Sequence, residues 1–203
     1  AFLKSGRNNE ALSLSRNLFE NEVDDIDNIA LDLAYIFLTQ LNFEIALNFL
    51  KKGDAFNNKN IDLLFELAFC YEQMIEFTKA IETYNRIINI DAYASEAWFN
   101  LGQIYFSMQD FQNAIDAYDF VLTINPDDVL TSLQKAHAHF QLSQYTEALE
   151  AYNAYDKVAF DPFQSNLFIG ECYEKMERFD DAILYYEKSL KLKRSQSLVR
   201  LAM

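Results

Sequence analysis

The chain has 203 residues, of which 51% are apolar and 15% aromatic, with 18 Phe and 12 Tyr against only four Gly and two Pro. So much material for burial excludes a disordered chain, and so few turn residues exclude a strand-rich sandwich or barrel, which leaves helix as the default. A formal net charge of −14, from 17 Lys and Arg against 31 Asp and Glu, repels nucleic acid and anionic membrane surfaces and favours a basic or apolar partner.

Residues 1–26 contain Glu10-Ala11-Leu12, read as the second helix of a partial repeat followed by a linker. No charged region leading into an apolar stretch opens the chain, so no signal peptide is read there. Nowhere does an apolar run reach the roughly 18–20 residues of a membrane span. From Asp27 onward the sequence repeats itself. Alanine falls at Ala46, Ala80, Ala114, Ala148 and Ala182, each 34 residues from the last. An aromatic precedes each by three: Phe43, Phe77, Phe111, Tyr145 and Phe179. Leu50, Tyr84, Tyr118, Tyr152 and Tyr186 follow by four, and small residues (Ala34, Ala68, Gly102, Ala136, Gly170) stand twelve before. Fixed periods of this length mark stacked repeat architectures. Five units result: 27–60, 61–94, 95–128, 129–162 and 163–196. Residues 197–203 read as the start of a further helix, so both ends look cut through a repeat.

Each unit predicts two helices. In the first, Gly53 is expected to end the second helix near Lys52, because glycine costs about 1 kcal/mol in a helix interior, with Asn57-Asn58-Lys59-Asn60 as the loop. The third shows the pattern most fully. Ala97, Trp98, Leu101, Ile104 and Tyr105 recur at three- and four-residue spacing, Ser107-Met108-Gln109-Asp110 turns the chain, and Phe111, Ala114, Ile115, Tyr118, Val121 and Leu122 form the second stripe. Asn125-Pro126 ends it, since proline cannot continue a helix. Gly102 and Ala114 are expected to let the two axes approach closely. In the fourth unit Ser132 and Lys135 replace Trp98 and Leu101, which predicts a looser first helix.

The third unit resembles the tetratricopeptide repeat, whose signature Trp-x2-Leu-Gly-x2-Tyr, Ala-x3-Phe, Pro stands here as Trp98, Leu101, Gly102, Tyr105, Ala114, Tyr118 in place of Phe, and Pro126. The resemblance extends over residues 27–196. It implies an all-α, right-handed helical-hairpin solenoid of five full 34-residue units with partial units at both ends. It also implies that the first helices line an inner groove. The groove positions expected to bind a partner are Tyr35, Phe65, Phe69, Phe99, Gln103, Phe106, Leu133, His137, Phe140, Leu167 and Glu171. They present aromatics bordered by carboxylates, the chemistry of an extended or helical segment with apolar anchors and nearby Lys or Arg. The competing expectation is that these rings pack against neighbouring first helices. Some members of the family clamp the acidic tails of heat-shock chaperones with Lys, Asn and Arg, and Phe65, Phe69 and Phe99 stand where that set would be.

Chemistry of other kinds finds no purchase. His137 and His139, two apart, point to nearly opposite sides, whereas a metal pair needs three- or four-residue spacing. His139 is expected to fill core and His137 to face the groove as a donor. Cys70 and Cys172 share one repeat position three units apart, too far for a disulfide, and are expected to be buried thiols. Asp127-Asp128 and Asp180-Asp181 sit at helix starts, where carboxylates meet the dipole. No Gly-rich phosphate loop and no nucleophile–base pair is present. The expectation is therefore a non-catalytic scaffold or adaptor with no metal and no cofactor, in a reducing compartment such as the cytoplasm. It binds protein segments and pairs as a homodimer through its truncated ends. A regulatory or substrate-recruiting arm of a larger multidomain enzyme or signalling protein is the alternative.

Overall fold

A computed structural model describes residues 25–158 and 162–202. All described secondary structure is helical: α1 (Ile26–Leu38), α2 (Phe43–Phe56), α3 (Ile61–Gln73), α4 (Phe77–Ile90), α5 (Ser95–Ser107), α6 (Phe111–Ile124), α7 (Val129–Gln141), α8 (Tyr145–Val158), α9 (Pro162–Lys175) and α10 (Phe179–Ala202). The expected partial repeat at 1–26 lies almost wholly outside the described residues. Two compact units divide between Ala97 and Trp98.

In the first unit α1 pairs with α2 and α3 with α4, while α3 also lies on α2. The small-residue columns sit where the paired helices meet: Ala34, Ala46, Ala68 and Ala80 are all fully buried. Asn42 and Asn60 start α2 and α3 by accepting the Ile45 and Leu63 amides at 3.3 and 3.1 Å, which satisfies a backbone donor the helix itself cannot. Asn60 does more. Its amide nitrogen, with that of Asn57, donates to the buried carboxylate of Asp27 at 2.8 and 2.7 Å, tying the start of α1 to the α2–α3 loop. Arg86 on α4 grips Asp54 on α2 with both guanidinium nitrogens.

One expectation fails here. α2 does not stop near Lys52 but runs through Gly53 to Phe56. A Cβ on Gly53 would stand 2.4 Å from Leu63 Cδ1 and 2.9 Å from Ala30 Cβ. The glycine is therefore a point of close helix contact, and the propensity cost is carried for packing.

The second unit repeats the scheme with α7/α8 and α9/α10, α7 lying on α6 and α9 on α8, while α5 meets α6 through Phe99 on Tyr118 and Phe106 on Phe111. Asp110 and Asp128 cap α6 and α7, the latter accepting the Thr131 amide at 2.7 Å. Trp98 stacks on Phe120 at 4.1 Å. Lys135, in the fourth hairpin's first helix, reaches across to Asp119 on α6. α10 continues unbroken through residue 196 to Ala202, so the stretch expected to begin a further helix prolongs the last one.

Every hairpin turn has the same backbone. Leu41, Ile75, Gln109, Ser143 and Glu177 all take φ of 57–62°. In each, the residue after bonds back five positions, as Glu76 N does to Tyr71 O at 2.8 Å. This is a Schellman closure, ordinarily built with glycine.

Candidate protein-binding face

The functional candidates lie on the first helices. In the first unit Tyr35 of α1 and Phe69 of α3 hold the same repeat column and are 42% and 40% exposed, open enough to meet a ligand. Tyr35 reaches toward Glu66 on α3. Burial raises the Glu66 carboxyl above its usual range, and the like charge of Glu96 adds to the rise while Tyr35 opposes it. Burial, Glu66, Asp62 and Asp32 in turn hold the Tyr35 phenol up. Phe69 leans edge-on against Phe43 at 6.0 Å. Phe65 is half-buried against Tyr84, 6.2 Å away, and the Tyr84 hydroxyl donates to Glu72.

In the second unit the predicted residues are more enclosed. Phe99 is half-buried against Tyr118 at 6.0 Å, Phe106 against Phe111 at 5.2 Å, and Phe140 against Tyr145 at 5.4 Å. These partners, like Tyr84 for Phe65, belong to the second helix of the same hairpin and not to neighbouring first helices. Gln103 and Leu167 are half-buried and Glu171 is exposed. Leu133 packs with Phe140 onto the core around Ala136, Leu149, Tyr152 and Ile169. Burial and Glu174 raise the Glu171 carboxyl, and Lys175 pulls it back.

His137 is half-buried and already engaged within the fold. Its Nδ1 shares a 2.7 Å hydrogen bond with the Tyr152 hydroxyl, and its ring meets Phe168 edge-on at 4.8 Å. Burial lowers its pKa, so the ring is neutral at pH 7. His139 is half-buried and bonds Gln144 through Nδ1 at 2.7 Å. Both cysteines are buried and free, and burial pushes each thiol up to about 12, which suppresses the reactive thiolate. Among the described residues no cluster of three metal-ligating side chains occurs, and no helix is long and apolar enough to cross a membrane.

Sequence reasoning missed one pattern in the tyrosine column. Tyr84 donates to Glu72 and Tyr186 to Glu174, while Tyr152 bonds His137. Tyr118, fully buried, has no hydrogen-bond partner, and neither does the Thr131 hydroxyl. At the place of Glu72 and Glu174 the third hairpin carries Phe106, so the signal was one column of the repeat alignment.

Models of the tetratricopeptide repeat match residues 62–91, 95–128 and 163–196. No curated protein matches the sequence. Among solved structures, a crystal structure of a MamA protein superposes with a TM-score of 0.80 at 22% identity, covering 85% of this chain and 94% of that one. A second MamA crystal structure gives 0.74 at 22% identity, covering 81% and 96%. MamA from residue 41 to its end, from Desulfovibrio magneticus RS-1, gives 0.77 at 15% identity, covering 85% and 98%. At such identities the likeness concerns the fold alone, and that fold is the all-α solenoid of helical hairpins. With its column of small and aromatic residues every 34 positions and three matched repeats, the chain belongs to the tetratricopeptide-repeat family.

Proposed function

We propose that this protein is a non-catalytic scaffold whose first-helix faces dock segments of partner proteins, the segments carrying apolar anchors flanked by Lys or Arg. The observation that carries this reading is the setting of Tyr35 and Phe69. Two large rings stand open on adjacent first helices, and every ionised group acting on Tyr35 and Glu66 between them is a carboxylate. An apolar anchor desolvates against such rings, and a cation beside them gains both from the carboxylates and from the ring faces. In the second unit Phe99, Gln103, Phe106, Leu133, Phe140, Leu167 and Glu171 offer the same mixture with less open ring surface.

The test is an array of short peptides alternating lysine with leucine or phenylalanine, set against the same peptides with glutamate for lysine. The lysine set binds, and raised salt weakens it. Tyr35→Ala with Phe69→Ala removes about tenfold or more of the affinity while helix content is unchanged. Equal binding of both sets, or binding indifferent to the double substitution, overturns the reading.

A further inference from the structure

We propose that the outer stripe of α10 is a homodimer seam, on which α10 of a second copy packs antiparallel. The surface is separate from the first-helix faces, and the inference is independent of what binds there. α10 is 24 residues long, about 36 Å at the helical rise. Phe179, Ile183, Tyr186 and Leu190 recur along it at four-three-four spacing, the rhythm of a helix–helix seam. Three of the four are open, Phe179 at 59%, Ile183 at 56% and Leu190 at 59%. A cavity of about 500 Å³ runs beside them, its far wall formed by Phe163 and Leu167 of α9.

The earlier hairpins show what this groove is shaped for. Ile115 and Leu149 hold the repeat column of Ile183 and are only 4% and 8% exposed. α7 lies on the helix of Ile115, and Ile169 and Cys172 of α9 close over Leu149. In each case a helix fills the groove. Among the described residues none lies over the stripe of α10, and a contiguous apolar surface left in that state marks an association site.

Charge selects a second copy, and selects its direction. The edge of the stripe begins with Asp180 and ends with Lys191, both exposed. An antiparallel copy centred near Tyr186 sets Ile183 opposite the other Leu190 and brings Asp180 within a turn of the other Lys191. In a parallel copy Asp180 and the other Lys191 would stand about 16 Å apart along the axis, too far to pair. Antiparallel packing also aligns the helix dipoles favourably. This register creates one like-charged encounter, Glu187 with its own copy beside the two-fold axis.

Sedimentation velocity of the whole chain across the micromolar range, in salt enough to screen the −14 charge on each copy, tests the seam. The wild type passes from monomer to dimer as concentration rises. Ile183→Glu with Leu190→Glu weakens the dimer by about thirtyfold or more, as loss of a central apolar anchor does, with helix content unchanged because both sites are exposed. Glu187→Gln tightens it several-fold. Asp180→Lys and Lys191→Glu each weaken self-association, and combining the two in one chain restores it, which only the antiparallel pairing allows. A monomer at every concentration overturns the proposal, as does a dimer that survives Ile183→Glu with Leu190→Glu. A double variant that self-associates no better than the single ones overturns the antiparallel register.

Discussion

The ring of Tyr118 occupies the space a side chain on Gly102 would need: a Cβ there would lie 2.4 Å from Cε1 and 2.7 Å from Cδ1. Gly170 and Tyr186 repeat the relationship at 2.5 and 2.7 Å. The two sites differ in what can yield. Tyr118 is fully buried, whereas Tyr186 is half-buried at the edge of its hairpin. Gly102→Ala gains about 1 kcal/mol of helix propensity but forces an enclosed ring to move, and overpacking costs about 1–3 kcal/mol. Chemical denaturation is expected to show Gly102→Ala destabilised by about 1–2 kcal/mol and Gly170→Ala close to neutral.

The tyrosine column separates a satisfied hydroxyl from an orphaned one. Tyr84→Phe leaves Glu72, a half-buried carboxylate that burial has already pushed up, without its donor. A loss of about 1–2 kcal/mol is expected. Tyr118→Phe removes a hydroxyl that has no partner, so its stability is expected to stay level or rise by up to about 1 kcal/mol. Matched urea titrations of the two variants check the contrast, and an equal loss in both would show that the Tyr118 hydroxyl finds a partner in solution.

The small-residue columns were legible because a helix pair in contact tolerates nothing larger, and Ala46, Ala80, Ala114 and Ala148 are fully buried as that demands. Gly53 was misread because a glycine that ends a helix and one that admits Leu63 look alike in a single sequence. The turn at Ser107–Asp110 was read at the right place but with no hint of its backbone, and at the equivalent Leu41 and Ile75 the residues are poor ones for positive φ. Tyr35 and Phe69 were found through their column. Their openness was not legible, nor was the closure of Phe65 and Phe99, because rings from the second helices decide it. The partners of His137 were not legible for the same reason: Tyr152 and Phe168 reach it from two different helices.

Stability is expected to peak at mildly acidic pH. Glu66 and Glu72, both half-buried, have folded-state pKa values raised mainly by burial. Their protonation favours the fold, so that contribution is complete below the unfolded value near 4.5 and is lost as pH rises through the folded values. Asp27 runs the other way. The Asn60 hydrogen bond, with that of Asn57, lowers its pKa despite burial. Its contribution is present above the unfolded value near 3.8 and disappears as pH falls through the folded one. Thermal midpoints between pH 7 and 3 should rise and then fall. In Asp27→Asn the fall below about pH 4 should be shallower, because that variant no longer has the carboxylate to lose.

Ile75 is the clearest place to gain stability. It is a β-branched residue at φ 60° in the α3–α4 turn, and 74% of its surface is exposed. The left-handed conformation costs a residue with a Cβ about 1–2 kcal/mol, and a branched Cβ lies at the unfavourable end. Little burial compensates, since the side chain faces water. Ile75→Gly keeps the Glu76 N to Tyr71 O and Ile75 N to Glu72 O bonds that close the turn and removes the steric cost. Part of the gain returns to the unfolded chain as entropy. A net stabilisation of about 0.5–1 kcal/mol is expected. Ile75→Ala keeps the Cβ and serves as the control, with no gain from the backbone. Equal midpoints for the two variants in urea would mean that the turn is not held at positive φ in solution.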